Sequence, residues 1–259
     1  MLKVHSIFGH GYHREDRSRL KQAGFNFRSR GTDFAGAQFL RHIDFLTCPC
    51  LELIEVRDHR VYENFVPRGM VPYSPGINLA LDEDGETTIE KLREEFSSWG
   101  PYILHENYEG GEHERKPGWN YLNFREPLLP GTYLWVTEYE KPYPATPPKT
   151  THPNAVTGVS GLLFDLSPVQ FKDLSRLIGQ PVQEGALSLG GTSFYSREGV
   201  LLEGGLPDTE FPLAAVLLQT ENLDFFQSDR IPGEKTTFQG KPAYWIQNPP
   251  QCWDLIIHE

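Results

Sequence analysis

Cysteine is scarce in this chain of 259 residues, with three in all, at Cys48, Cys50 and Cys252. Cys48 and Cys50 stand too close for an ordinary structural bridge and Cys252 lies far away. That excludes a disulfide framework and leaves buried thiols as the expectation. Basic residues are in the minority, Lys+Arg 24 against Asp+Glu 35, for a formal net charge of -11. Phosphate neutralisation needs a basic face, so nucleic acid is not expected as a partner. No apolar run approaches the ~20 residues of a membrane span, and Met1-Leu2-Lys3-Val4-His5 lacks the apolar core of a signal peptide. The expectation is a cytoplasmic protein with no membrane partner. Common catalytic signatures are missing too: no nucleophile elbow, phosphate-binding glycine loop, His-Glu-x-x-His or Cys-x-x-Cys is found. One Cys-Pro-Cys without a second pair is a weak metal signal.

What is present is a repeated pattern. Hydrophobic residues make up 38% and charged residues 23%, ordinary for a globular chain long enough for two domains. Cys50-Leu51-Glu52-Leu53-Ile54-Glu55-Val56 alternates apolar and charged residues as a half-buried strand does. Leu51 and Ile54 are expected to face a core, with Leu53 if the pleat slips. Glu52 then sits in a strand that otherwise looks buried, at a cost of several kcal/mol unless it is paired, solvated or metal-bound. An edge strand with a solvated outer face would show the same alternation.

Around that strand the order βαβββ recurs. The first unit reads as a strand over 2–9, a helix over 13–24 stopped by Gly24, and strands over 25–30, 38–45 and 50–56. The second has a strand over 76–81, a helix over 87–99 capped by Thr87 or Thr88, and strands over 102–109, 119–124 and 132–139. A Pro-rich link at 142–153 separates the halves. The third unit has a strand over 156–166, a helix over 168–178 capped by Ser167 and stopped by Gly179, and strands over 182–189, 193–196 and 200–203. A degenerate fourth unit has a strand over 213–220, a helical stub over 222–227, and strands near 236–239, 243–247 and 254–258. Each small sheet covers one face with its own helix. Pairing two units leaves a cup of open sheet faces, a natural ligand pocket.

This plan resembles the vicinal oxygen chelate superfamily, which includes glyoxalase I, extradiol dioxygenases and bleomycin-resistance proteins. Within it the chain resembles the glyoxalase-like proteins that carry a His-Pro-Asn turn at mid-chain, here His152-Pro153-Asn154. The resemblance implies an α+β fold of four βαβββ units paired into two glyoxalase-like domains, 1–145 and 154–259. It also implies a divalent-metal site (Zn, Ni, Mn or Fe(II)) with ligands on a first strand and a last strand. Val4-His5-Ser6-Ile7 and Leu51-Glu52-Leu53 match those places, and Asn78 falls where a second His is expected. Trp135 stands opposite Glu52, with Glu138 three residues on as a general base. Ser160 and Asp254-Leu255-Ile256 depart from the ligand pattern, so the site is expected in the N-terminal cup.

Around it, Arg115 in the charged hairpin 112–119, Arg68 and Tyr73 on the rim segment 67–76, and His152 at the link are candidate substrate contacts. A solvated hairpin, and a His152 that caps the strand after it, are the structural alternatives. His42 joins the set if its strand faces the cup. Two functions follow. One is a metal-dependent lyase, isomerase or oxygenase in which the ion acts as a Lewis acid on a small oxygenated substrate. The other is a metal-free protein that sequesters a small molecule against aromatic walls. Either reading admits a homodimer.

Overall fold

The computed structural model describes residues 2–10, 14–33, 36–47, 49–65, 73–81, 87–97, 104–106, 119–124, 128–129, 131–139, 150–206, 211–228, 231–248 and 252–259. Of the expected site residues, Arg68 and Arg115 lie outside these, as does Cys48.

The first half runs β1 (Leu2–His10), α1 (Arg14–Gln22), β2 (Arg28–Asp33), β3 (Gln38–Ile43), β4 (Cys50–Val56), α2 (His59–Phe65), β5 (Gly76–Leu81), α3 (Ile89–Ser97), β6 (Leu104–Glu106), β7 (Trp119–Phe124) and β8 (Tyr133–Tyr139). Its eight strands form one sheet in the order β2-β3-β4-β1-β5-β8-β7-β6. Within each unit the first strand pairs parallel with the last, β1 with β4 and β5 with β8. The antiparallel seam β1–β5 joins the two units. Two strand–helix–three-strand units thus share one sheet, as the repeat predicts.

The second half runs β9 (Val156–Phe164), α4 (Pro168–Ile178), β10 (Ala186–Leu189), β11 (Thr192–Ser196), β12 (Leu213–Thr220), a 3-10 turn (Leu223–Gln227), β13 (Glu234–Phe238), β14 (Lys241–Ile246) and β15 (Asp254–His258). These strands order as β10-β11-β9-β12-β15-β14-β13. The expected strand at 200–203 is only a bridge from Leu202 to Phe238, and β11 is the strand that pairs with β9. The third unit therefore has one strand fewer than the others. Its helix follows the sequence closely: Ser167 and Gln170 form a reciprocal capping box, and Gly179 ends it in the left-handed region at φ 71°.

The helix-covered faces of both sheets contribute to one continuous core. Val4, Ile7, Leu51, Leu53, Ile77, Leu79, Leu134 and Val136 join Leu20 and Ala23, Phe96 of α3, Leu174 of α4, and Leu162, Val216 and Leu255 of the second sheet. Leu53 faces this core beside Leu51, whereas Ile54 turns to the other face with Glu52, opposite to the expectation for Ile54. Each sheet's other face carries its own smaller cluster. On the first sheet this is Phe8, Ala37, Ile54, Val56, Tyr62 and Tyr133. On the second it is Leu163, Ala215, Leu217, Phe238, Ala243 and Ile256. The second cup is thus filled with aliphatic and aromatic side chains.

Candidate functional site

The cup face of the first sheet gathers its polar side chains near its middle. β4 places Glu52 there by simple alternation, opposite His42 on β3. His5 arrives by a different device. Val4 pairs with Leu79 and Ser6 with Asn78, so His5 is the extra residue of a β-bulge in β1. A bulge re-aims the side chain it carries, and this one brings the His5 ring to 5.0 Å from the Tyr139 ring. A second bulge, in β2 between Ser29 and Gly31, holds Arg30. The charges of Glu52, Arg30, His42 and Lys3 all act on His5, and those of Glu52 and Arg30 act on Tyr139. The side chains of His5 and Glu52 make no hydrogen bond to another described residue.

His42 is fixed from behind. Arg28 makes a two-point bond to Asp44, Nε to Oδ2 at 2.7 Å and Nη2 to Oδ1 at 2.6 Å. The same Nη2 lies 3.1 Å from His42 Nδ1. A guanidinium has only donors, so Nδ1 accepts and the ring proton sits on Nε2. That Nε2 is buried, has no hydrogen-bond partner, and lies 3.8 Å from Glu52 Oε1. Burial lowers the pKa of His42 more than Glu52 raises it, so the ring is neutral near pH 7. His42 therefore offers the cup a proton.

Asn78 is engaged in the same face. Its Oδ1 accepts from Thr137 Oγ1 at 2.7 Å, and its side chain favours the charged form of the Tyr139 phenol. Burial, then the Glu52 charge, raises the Tyr139 pKa, so the hydroxyl keeps its proton.

A divalent ion in this cup would need lone-pair donors. His5 and Glu52 fit that requirement. His42 does not: a ligating imidazole normally donates its outer N–H to an acceptor, and here the outer nitrogen faces a cation. Asn78 already spends its oxygen on Thr137. Glu138 shares the pleat parity of Leu134 and Val136, which lie in the helix-side core, so it turns away from the cup and is not the expected general base there. Among the described residues, His42, Asp44 and Cys50 bring one ligand atom each to within 4.8 Å of one another. Arg28 already supplies the positive charge at that cluster. Among the described residues, His5 and Glu52 thus give a two-donor pair and not a closed metal centre.

The far end of the cup is aromatic. Phe8 stacks on Trp135 at 4.7 Å and 22°, with Tyr133 5.9 Å from Phe8. Gly76 makes this packing feasible, since a Cβ there would strike the Phe8 ring. The helix α2, which the sequence reading lacked, lies over this end through Val61 and Tyr62. The Tyr62 hydroxyl sits 2.5 Å from Nε2 of the buried His10. Tyr73 belongs to the outside of this plug, stacked on Tyr62 and bonded to His59 at 2.8 Å and Glu63 at 3.1 Å.

His152 is placed away from the cup. Its Nδ1 accepts from the Asn26 amide at 3.1 Å and its Nε2 donates to the Asp44 carbonyl at 2.8 Å. Both nitrogens are used, so it serves as a link between the halves. In the second cup Ser160 bonds His258 at 2.7 Å, and Asp254 accepts from Trp245 Nε1 and the Asn248 amide. Those polar groups satisfy one another.

No family model matches the chain, and no curated protein matches it. Solved structures do. A hypothetical protein from Staphylococcus aureus aligns over 100% of this chain and 99% of its own, at 10% identity and TM-score 0.60. A Mn(II)-bound glyoxalase from Novosphingobium aromaticivorans covers 98% of this chain and 81% of its own, at 11% identity and TM-score 0.57. Homoprotocatechuate 2,3-dioxygenase from Brevibacterium fuscum, in complex with 3,4-dihydroxyphenylacetate, covers 99% of this chain and 80% of its own, at 13% identity and TM-score 0.55. The fold is that of the vicinal oxygen chelate group, an α+β architecture of paired strand–helix–strand units.

Proposed function

We propose that this protein binds a small oxygenated molecule in the N-terminal cup, without a resident metal. The Glu52 carboxylate accepts from a ligand hydroxyl, the His42 Nε2–H donates to a neighbouring ligand oxygen, and Trp135, backed by the buried Phe8, borders the apolar part. The observation that carries this reading is the Arg28 bond to His42 Nδ1, which makes His42 a donor toward Glu52. A buried polar atom without a partner costs about 1–3 kcal/mol, and a ligand that satisfies it recovers that amount on binding.

A second reading rests on His5 and Glu52, whose side chains have no hydrogen-bond partner among the described residues. The pair suits a divalent ion (Zn, Ni, Mn or Fe(II)), which when bound would supply Lewis acidity to a chelating substrate. This would be the lyase, isomerase or oxygenase chemistry of the group.

Calorimetry separates the two. Catechol and hydroxyacetone serve as probes, titrated before and after EDTA, alongside titration of each ion into apo protein. On the first reading a probe binds equally with and without EDTA, and Trp135→Ala weakens it. A stoichiometric heat from one of the four ions, lost in both His5→Ala and Glu52→Gln, overturns that reading in favour of the second.

A further inference from the structure

We infer a second binding site, for a small multivalent anion such as a phosphorylated metabolite, in the groove between α1 and strands β2 and β3. This groove has a volume of about 800 Å³ and lies on the helix-covered side of the sheet, opposite the cup. Arg17 and Lys21 of α1 line one wall, and Asn26, Ser29 and Arg41 line the other.

The charge arrangement points to an anion. Arg17 and Lys21 are one helical turn apart, a like-charge spacing that weakens an isolated helix. Arg41 reaches the same space from β3. The carboxylate beside them is Glu55, 2.9 Å from Arg41 and 3.9 Å from Arg17. Arg57 leans on the same carboxylate at 3.8 Å. Three guanidiniums thus share one acid, and Lys21 has no partner among the described residues. Arg17 adds a buried Nε without a hydrogen bond. Burial is the main cause that holds the Arg41 pKa down; the bond to Glu55 opposes it, and the charges of Arg17 and Arg57 add to the lowering. In a chain of net charge -11, such a local excess of cations stands out. Guanidinium forks on two walls suit the oxygens of a phosphate or pyrophosphate. The acids Glu15 and Asp16 sit in the first turn of α1, outside the lining.

Inorganic pyrophosphate is the probe. The whole 259-residue chain, isotope-labelled, is titrated at constant ionic strength while amide resonances are followed, with glycerol as a neutral control. Saturable shifts are expected at Lys21, Asn26 and Ser29, and not at Glu52. Lys21→Glu, an exposed position, should weaken binding roughly tenfold or more, in line with the loss of one charge-assisted contact. Arg17→Gln should weaken it as well, and Glu52→Gln should leave it unchanged. Three results overturn the proposal: no saturable shift at millimolar pyrophosphate, shifts confined to other surfaces, or unaltered affinity in Lys21→Glu.

Discussion

His42 shows how much one residue owes to what stands behind it. Arg28 holds Asp44 with two bonds and turns the His42 tautomer, while both side chains of the ion pair are largely buried. Removing one partner of such a pair leaves the other charge uncompensated. Arg28→Met should therefore cost about 3 kcal/mol in urea unfolding. Arg28→Lys, which keeps charge without the fork, should cost less but release His42 Nδ1. Ring ¹⁵N shifts report the outcome: His42 protonated on Nε2 in the parent, and a mixed tautomer in the Lys variant. A parent His42 protonated on Nδ1 would remove the basis of the donor assignment.

His10 makes a second case at this scale. Burial pushes its pKa down to about 4 from an ordinary 6.5, although the backbone of Ser74 and Tyr73 favours the charged ring. The unfolded chain takes up this proton near pH 6.5, and the native chain refuses it until about 4. The stability involved is whole above pH 6.5 and is lost as pH falls through that window, in total roughly 3 kcal/mol. Burial also lowers His5, His42, His152 and His258, so the sign is the same for all five. Urea midpoints should drop steadily between pH 6.5 and 4. A flat profile, or a His10 C2-proton titrating near 6.5, would contradict the burial.

Among the elements, those with strong local signals were legible in the sequence. β4, β5, α4 and β12 lie where alternation, a Ser-Pro cap and a Gly stop put them. Two kinds of feature were not. The bulges at His5 and Arg30 shift register by one residue, and nothing in the residue types marks a register shift. The tautomer of His42 depends on Arg28, 14 positions away, a pairing that only the sheet creates. The helix α2 was hidden for another reason: with 7 residues it is too short for a helical period to be read from its apolar positions. Val61 and Tyr62 hold it to the cup, and Tyr62 adds a polar bond. Tyr62→Phe keeps the ring and deletes the bond to His10, leaving a buried nitrogen unpaired at a cost of about 1–3 kcal/mol. Hydrogen exchange should show α2 loosened while β1 and β4 keep their protection. Equal loss across the sheet would mean that α2 is no separate unit.

For the whole molecule, the two sheets share one core, and the seam between them is specific. Trp253 Nε1 donates to the Phe8 carbonyl at 3.1 Å, Asn154 Nδ2 to the Ala23 carbonyl at 2.8 Å, and His152 bridges Asn26 and Asp44. Gly9 lies at this seam, where an added Cβ would run into Cys252 Sγ and the Trp253 ring. Since Cys252 and Trp253 are fully buried, neither can move aside without opening the core. Gly9→Ala should thus strain both halves at once, at a cost of about 1–3 kcal/mol. The expected result is one unfolding transition, by tryptophan fluorescence and far-UV dichroism alike, moved as a whole to lower urea. Cys252→Ala removes the clashing sulfur, so the double variant should recover part of the loss, and the two substitutions should couple in a double-mutant cycle. Two separate transitions in the parent, with Gly9→Ala shifting one alone, would show that the shared core does not bind the halves into one cooperative unit.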